Sequence, residues 1–413
     1  MVGRAFNCRK TSYYLLTAEK YGILNKQTLV NYHSPPMSQL QKNIIITSMG
    51  HFLVHAMTMI LPVILVILEE EFSVSLIYLG ELATIQILFL GLGGFPAGFL
   101  ADRYGSRMVL MIYFAGLVIA SIWLYFSTTF AMTAIGLGCL GLITGLYHPA
   151  GLKMVSHSPN VSRYMSYHGV SGSLGLAFGP IYGAWMSSYL GWRVAYLLLG
   201  AVALLGFIFL VLYQREPGPR QEKFNFNVKF TRSHILIISV ASLWGFAHHG
   251  LFNFLPYYFE ETVKTGFGAV VGSGFLTGFV LLLGIIGQLS GGRLGEIFQR
   301  KNLYVWVVGL NIPFLILMAF YQGWILVGIT GILGAINFMF QPVNNSLLAD
   351  VTPIENRGII YGFSAGISFS VGSFAGIIGG YLGEALSINH IFPSMALFLI
   401  PAVLLAILLK KIM

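Results

Sequence analysis

The sequence predicts an all-α integral membrane protein with twelve membrane-spanning helices in two repeats of six, both termini lying on the cytoplasmic side. Three observations carry this. Hydrophobic residues make up 56% of the chain and charged residues 9%, against about 25% charged in soluble domains, so little of the surface can face water. Apolar runs of about 20 residues or more, enough to cross a bilayer core, recur along the whole chain. A charged ten-residue turn also occurs once in each half.

The runs fall at 43–67, 76–100, 107–127, 129–155, 163–189 and 192–213, then at 234–258, 269–293, 302–321, 323–349, 356–384 and 389–409. They divide the chain into a polar N-terminal tail (1–42), a first six-helix bundle (43–213), a proline-bearing polar link (214–233) and a second bundle (234–413). The tail lacks a signal-peptide core with a small-residue cleavage site. The stretch from Met37 reads like an ordinary start, so the residues before it are expected to be dispensable.

Orientation follows from the basic residues, because loops rich in Lys and Arg stay cytoplasmic. With the N-terminus inside, every Lys and Arg except Arg193 and Lys264 falls on the cytoplasmic side, and Glu69, Glu70, Glu71, Glu260, Glu261 and Glu384 fall outside. The net charge of +9 is therefore a topological signal. No aromatic-basic patch or soluble domain supports nucleic-acid binding. Cys8 and Cys139 make neither a disulfide framework nor a thiolate metal site. The 49 glycines let helices approach closely where lipid provides no hydrophobic drive for association.

The turn after run two reads Gly98-Phe-Leu-Ala-Asp-Arg-Tyr-Gly-Ser-Arg107. Its counterpart, Gly292-Arg-Leu-Gly-Glu-Ile-Phe-Gln-Arg-Lys301, sets Gly292 on Gly98, Leu294 on Leu100, Glu296 on Asp102 and Lys301 on Arg107. A plain basic loop explains the arginines but not the acid, the glycines or the repeat. The first copy resembles the loop signature of the major facilitator superfamily of transporters, and the second resembles its decayed form. The resemblance implies alternating access between two six-helix halves, with Asp102 held near Arg357 at the start of run eleven. It also implies a gating role for Gly98, Asp102, Arg103, Arg107, Glu296 and Arg357.

Ionisable groups inside membrane runs are site candidates, because they are costly there and face the bundle interior. In run one, His51, His55, Thr58 and Pro62 share a helical face. In run seven, His248 and His249 precede Asn253 and Pro256, and His249 stands seven residues before its proline as His55 stands before Pro62. Runs four and ten form a second related pair, in which Tyr147-His148-Pro149 aligns with Phe340-Gln341-Pro342, followed by Asn344. Pro149 and Pro342 are expected to break or kink their helices and free carbonyls beside a site. Imidazole titrates near neutrality, so the histidines are the natural proton carriers, with Glu81 as a further candidate. Each of these residues has an alternative reading, as a buried hydrogen-bonding or packing group.

Run five carries Tyr167-His168-Gly169 and then Gly175, Gly179, Pro180 and Gly183, which resembles the antiporter motif of the same superfamily, with Ala184 in place of its last glycine. Generic glycine packing is the alternative. One departure is that drug exporters of this superfamily usually carry an arginine in run four, where Gly141 stands here ahead of Gly145. The run-one histidine with its Leu-Pro, the His148-Pro149 step and the 163–183 stretch together resemble the fosmidomycin-resistance branch.

That branch implies proton-driven efflux of a small polar or anionic molecule, in a bacterial inner membrane. The expected substrate- or proton-binding set is His51, His55, His148, His168, His248, His249, Tyr147, Asn253, Gln341 and Asn344. Uptake by proton symport remains the main alternative, followed by a receptor or sensor on a transporter scaffold. A membrane diiron enzyme is the rival of another class, but the histidines sit inside apolar runs and lack a third histidine box. No phosphate-binding glycine loop points to ATP. The expectation is thus a non-enzyme with no cofactor or metal, whose partners are its substrate, protons and lipid, and which acts as a monomer.

Overall fold

The computed structural model describes residues 38–156, 161–213, 230–266, 268–353 and 357–413, with backbone alone for Asp102, Ser156, 161–166, Tyr213, Arg357 and Gly358. Most of the stretches expected to form the N-terminal tail (1–42) and the link (214–233), and the side chains of Asp102 and Arg357, lie outside the described residues.

The first half consists of α1 (Gln39–Thr58), α2 (Ile60–Phe72), α3 (Leu76–Tyr104), α4 (Ser106–Phe126), α5 (Phe130–Ser156), α6 (Val161–Leu190) and α7 (Trp192–Tyr213). The second consists of α8 (Arg232–Thr262), α9 (Ala269–Ile297), α10 (Arg300–Leu317), α11 (Gly323–Phe338), α12 (Phe340–Val351), α13 (Arg357–Ser373), α14 (Ala375–Ala385) and α15 (Ile391–Ile412). Among the described residues there is no strand. Ten stretches are long and apolar enough to cross a membrane, with α1–α2, α11–α12 and α13–α14 each counting as one. The further long helices are α6, of 30 residues, and α10, of 18.

Proline places two of the breaks. α1 stops at Thr58, and Met59 turns before Pro62, which has no N–H to return to the preceding turn. α11 stops in the same way at Phe338, and Met339 turns before Pro342. Pro149 and Pro180 behave otherwise, since α5 and α6 run through them unbroken. Close packing of α5 lies one to two turns before Pro149. Gly93, Gly141 and Gly145 let α3 and α5 press backbone to backbone, and a Cβ on any of them would overlap the carbonyls of Leu142, Gln86 and Leu90 respectively. The contact also explains the missing run-four arginine, because position 141 has no room for a side chain.

The glycine face of α6 is used within the first half. Gly175 and Gly179 lie on the carbonyls of Phe52 and Ala56, and Gly183 lies on Ile60. The second half reaches α6 through its own glycines, with Gly274 and Gly278 of α9 seated on the carbonyls of Pro180 and Ala177.

The halves also meet where α3 packs on α13 and α14. Gly80 and Gly376 abut each other's carbonyls, the Thr84 hydroxyl donates to Ser373 O at 2.9 Å, and Ile377 N–H donates back to Thr84 Oγ1 at 2.9 Å. Further toward the same end, Ile77 N–H donates to Glu384 at 3.3 Å and the Tyr257 hydroxyl to Glu69 at 2.9 Å. This end of the interface is closed by polar contacts. Toward the opposite end, Phe95 meets Phe363 with ring centroids 5.6 Å apart, and beyond it Gly98 has open space on its Cβ side.

Candidate functional site

α1 brings His51 and His55 to one face by their four-residue spacing, α5 adds His148, and α6 adds His168. The His51 ring lies 4.0 Å from that of His168, 4.9 Å from His55 and 5.3 Å from His148, centroid to centroid. His51 Nδ1 sits 2.7 Å from the backbone oxygen of His168, which can only accept, so Nδ1 carries the proton and Nε2 offers a lone pair. His55 Nε2 lies 3.2 Å from that lone pair and donates to it. The ligand nitrogens of His51, His55 and His148 all fall within 4.8 Å of one another. His168 is 2% exposed, and neither of its ring nitrogens has a hydrogen-bond partner among the described residues.

Two tyrosines fix α1 behind this cluster. The Tyr113 hydroxyl donates to Gly50 O at 2.9 Å, and the Tyr147 hydroxyl donates to Thr47 O. Tyr147 is fully buried and stacks on His51, so its hydroxyl is committed to the backbone.

The second half presents a different arrangement. His248 stacks on Trp244 at 4.7 Å and shares a 2.6 Å hydrogen bond with Asn337 Oδ1. Asn337 in turn donates to Asn311 Oδ1 at 2.9 Å, and Asn311 to Val307 O at 2.7 Å. His249 turns away from this chain to pack on Phe369 and Gly372 of α13. His55 therefore faces α5 while His249 faces α13, although their distances to proline match. His248 stays within the second half, on Trp244 and Asn337.

The other expected site residues scatter. Asn253 is buried and its Nδ2 has no partner among the described residues. Asn344 accepts from the Tyr304 hydroxyl at 2.8 Å inside the second half. Gln341 is exposed and joins a relay in which Ser173 donates to Gln288 at 2.8 Å and Gln288 to Gln341 at 2.5 Å. That relay crosses from α6 to α9 and α12.

Of the gating set, Arg107 donates to Leu210 O at 3.0 Å, and Arg103 lies over the rings of Tyr104 and Phe99 at 5.4 and 5.9 Å. Gly105 turns the chain between α3 and α4 at φ 86°, a conformation that favours glycine. Glu296 is exposed, and the ion pair beside it joins Arg300 to Asp350 at 2.6 Å.

Sequence reasoning did not single out Trp244, Asn311, Gln288 or Tyr257. Gln288 and Asn311 were detectable as polar residues inside apolar runs; the two aromatic residues carried no such signal. Two surface grooves, of about 450 Å³ between α9 and α11 and about 260 Å³ between α6 and α9, are almost wholly apolar and contain none of the histidines.

Comparison with known proteins gives concordant results. The model of the Major Facilitator Superfamily matches residues 47–377 and 262–412. Multidrug resistance protein MdtG of Escherichia fergusonii is 25% identical over 385 residues, covering 88% of this chain and 91% of its own. MdtG of Yersinia enterocolitica is 25% identical over 393 residues, covering 90% and 92%. Among solved structures, a bacterial homolog of the human lysosomal transporter Spinster, inward-facing and unoccupied, superposes with a TM-score of 0.74 at 14% identity. That match covers 92% of this chain and 98% of the other, and its occupied form gives 0.70 at 15% identity.

Proposed function

Because the chain belongs to the Major Facilitator Superfamily, and is thus a multi-pass membrane transporter rather than an enzyme, we propose that it exports a small polar or anionic molecule in exchange for protons. On this reading, twelve helices span the cell (inner) membrane of a bacterium with both termini cytoplasmic, and the protein works as a monomer of the fosmidomycin-resistance branch. The end closed by Glu69, Tyr257 and Glu384 is then the outer one, and the state is inward-facing.

The carrying observation is that each half buries its own histidine cluster within its helices, His51, His55, His148 and His168 on α1, α5 and α6 and His248 with Asn337 on α8 and α11. Sites of alternating-access transporters lie where such halves meet near the bilayer midplane. The first-half cluster meets the substrate, and the second-half pair, His248 and His249, carries the proton. Protonation there adds a positive charge in a weakly screened chamber and so alters its affinity for an anion. Asp102, Arg103, Arg107 and Arg357 close the cytoplasmic end in the opposite state. The relatives named multidrug resistance proteins favour export over uptake.

The test is reconstitution into liposomes with an imposed pH gradient and labelled candidate anions. Accumulation against the substrate gradient, driven by protons moving the other way, is the expected result. Accumulation alongside protons would make the protein a symporter, and movement indifferent to the pH gradient would remove proton coupling altogether.

A further inference from the structure

We infer that the first half binds a divalent transition-metal ion of the zinc type through His51, His55 and His148, with a fourth coordination position left free. Two imidazoles four residues apart on one helix and a third from a facing helix make a ligand set of the kind that leaves a position free for an exogenous group. With metal–nitrogen bonds of about 2.0–2.1 Å, tetrahedral ligands stand about 3.3 Å apart. The Nε2 atoms of His51 and His55 are already 3.2 Å apart. All separations in the trio lie within 4.8 Å, so the wider ones need close by no more than about 1.5 Å to reach that value.

The tautomers agree with this assignment. The backbone oxygen of His168 holds the His51 proton on Nδ1 and so points its Nε2 lone pair at the centre of the trio. Such an outer hydrogen bond orients a metal-binding imidazole and strengthens it as a ligand. The proton that His55 Nε2 now donates to His51 moves to its Nδ1 when the ion takes its place, so both ligands remain neutral. The His168 ring packs against that of His51 at 4.0 Å, tilted by 39°.

Three imidazoles without a carboxylate select zinc, nickel or copper over magnesium or calcium. The inference depends on the transporter reading only for its use, the ion being a point where an anionic substrate can attach. Binding of the ion itself does not depend on that reading.

The test uses the full-length protein, purified without a histidine tag, stripped of metal and titrated with Co²⁺ and then Zn²⁺. The expected result is one Co²⁺ per chain with the visible absorption of a tetrahedral site, bleached by Zn²⁺. Affinity should fall at least about 100-fold in H51A, H55A and H148A, each checked for helicity and monodispersity, and stay unchanged in H390A, at an exposed histidine remote from the trio. H148N, which keeps a polar side chain, serves if H148A is unstable. No stoichiometric binding, or binding that survives in H55A/H148A, would overturn the inference. Because no gradient is involved, either outcome leaves the proton-exchange reading to its own experiment.

Discussion

The Tyr257 hydroxyl on α8 donates a hydrogen bond to Glu69 at the end of α2, 2.9 Å across the junction of the two halves. It is one of the contacts that can exist only while this end is shut. A hydrogen bond to a carboxylate contributes about 1.5–3 kcal/mol when buried. For this part-buried pair about 1 kcal/mol is the appropriate scale, roughly a fivefold bias toward closure. Y257F should therefore lengthen the distance between spin labels at positions 70 and 261 in a larger share of molecules. An unchanged distance distribution would show that the contact does not hold the gate.

A larger effect in the same direction is expected from G80A. Its methyl group would enter the space of the Gly376 carbonyl, and backbone cannot yield as a flexible side chain can. Overpacking of this kind costs about 1–3 kcal/mol. Transport should fall several-fold while membrane insertion is retained, and the same spin-label pair should report a more open end.

Gly172 and Gly169 make a matched pair on α6. A Cβ at 172 would strike the His51 ring, 2.6 Å from its Nδ1, whereas a Cβ at 169 meets nothing within 4 Å. G172A should displace the ring from its bond to the His168 carbonyl and reduce transport at least about tenfold, a loss on the scale of a misplaced binding group. G169A should transport like the wild type. Equal behaviour of the two variants would remove His51 from the mechanism.

In the second half, the His248–Asn337–Asn311 chain is expected to act as a unit. Leaving a buried partner unsatisfied costs about 1–3 kcal/mol. N337A and N311A should each lower the melting temperature in detergent, and N337A/N311A should lower it by less than the sum of the two. Additive shifts would show that the residues act separately.

The fold was legible in the sequence because apolar run length and the recurring turn are local signals. The break before Pro342 also followed from the chain, whereas the one before Pro62 was not expected. The unbroken course of α5 through Pro149 did not, nor did the seating of Gly141 and Gly145 on α3 carbonyls, a contact that no local pattern displays. The same limit applies to the site. Spacing alone put His51 and His55 on one face, but the arrival of His148 and His168 beside them depends on how α5 and α6 pack on α1. The internal repeat equated His55 with His249, yet the two face different helices, since a repeat preserves backbone placement more firmly than side-chain partners. Tyr257 carried no signal at all, because its role exists only where two distant helix ends meet.

The most direct test of the account is internal pH in liposomes containing the wild type, H248A or H249A, recorded as a candidate anion is added under a pH gradient. The account predicts substrate-dependent proton movement opposite to the substrate in the wild type, abolished in at least one variant that still binds the anion. Equal proton movement in all three proteins, or none in a wild type that carries the substrate, would contradict it.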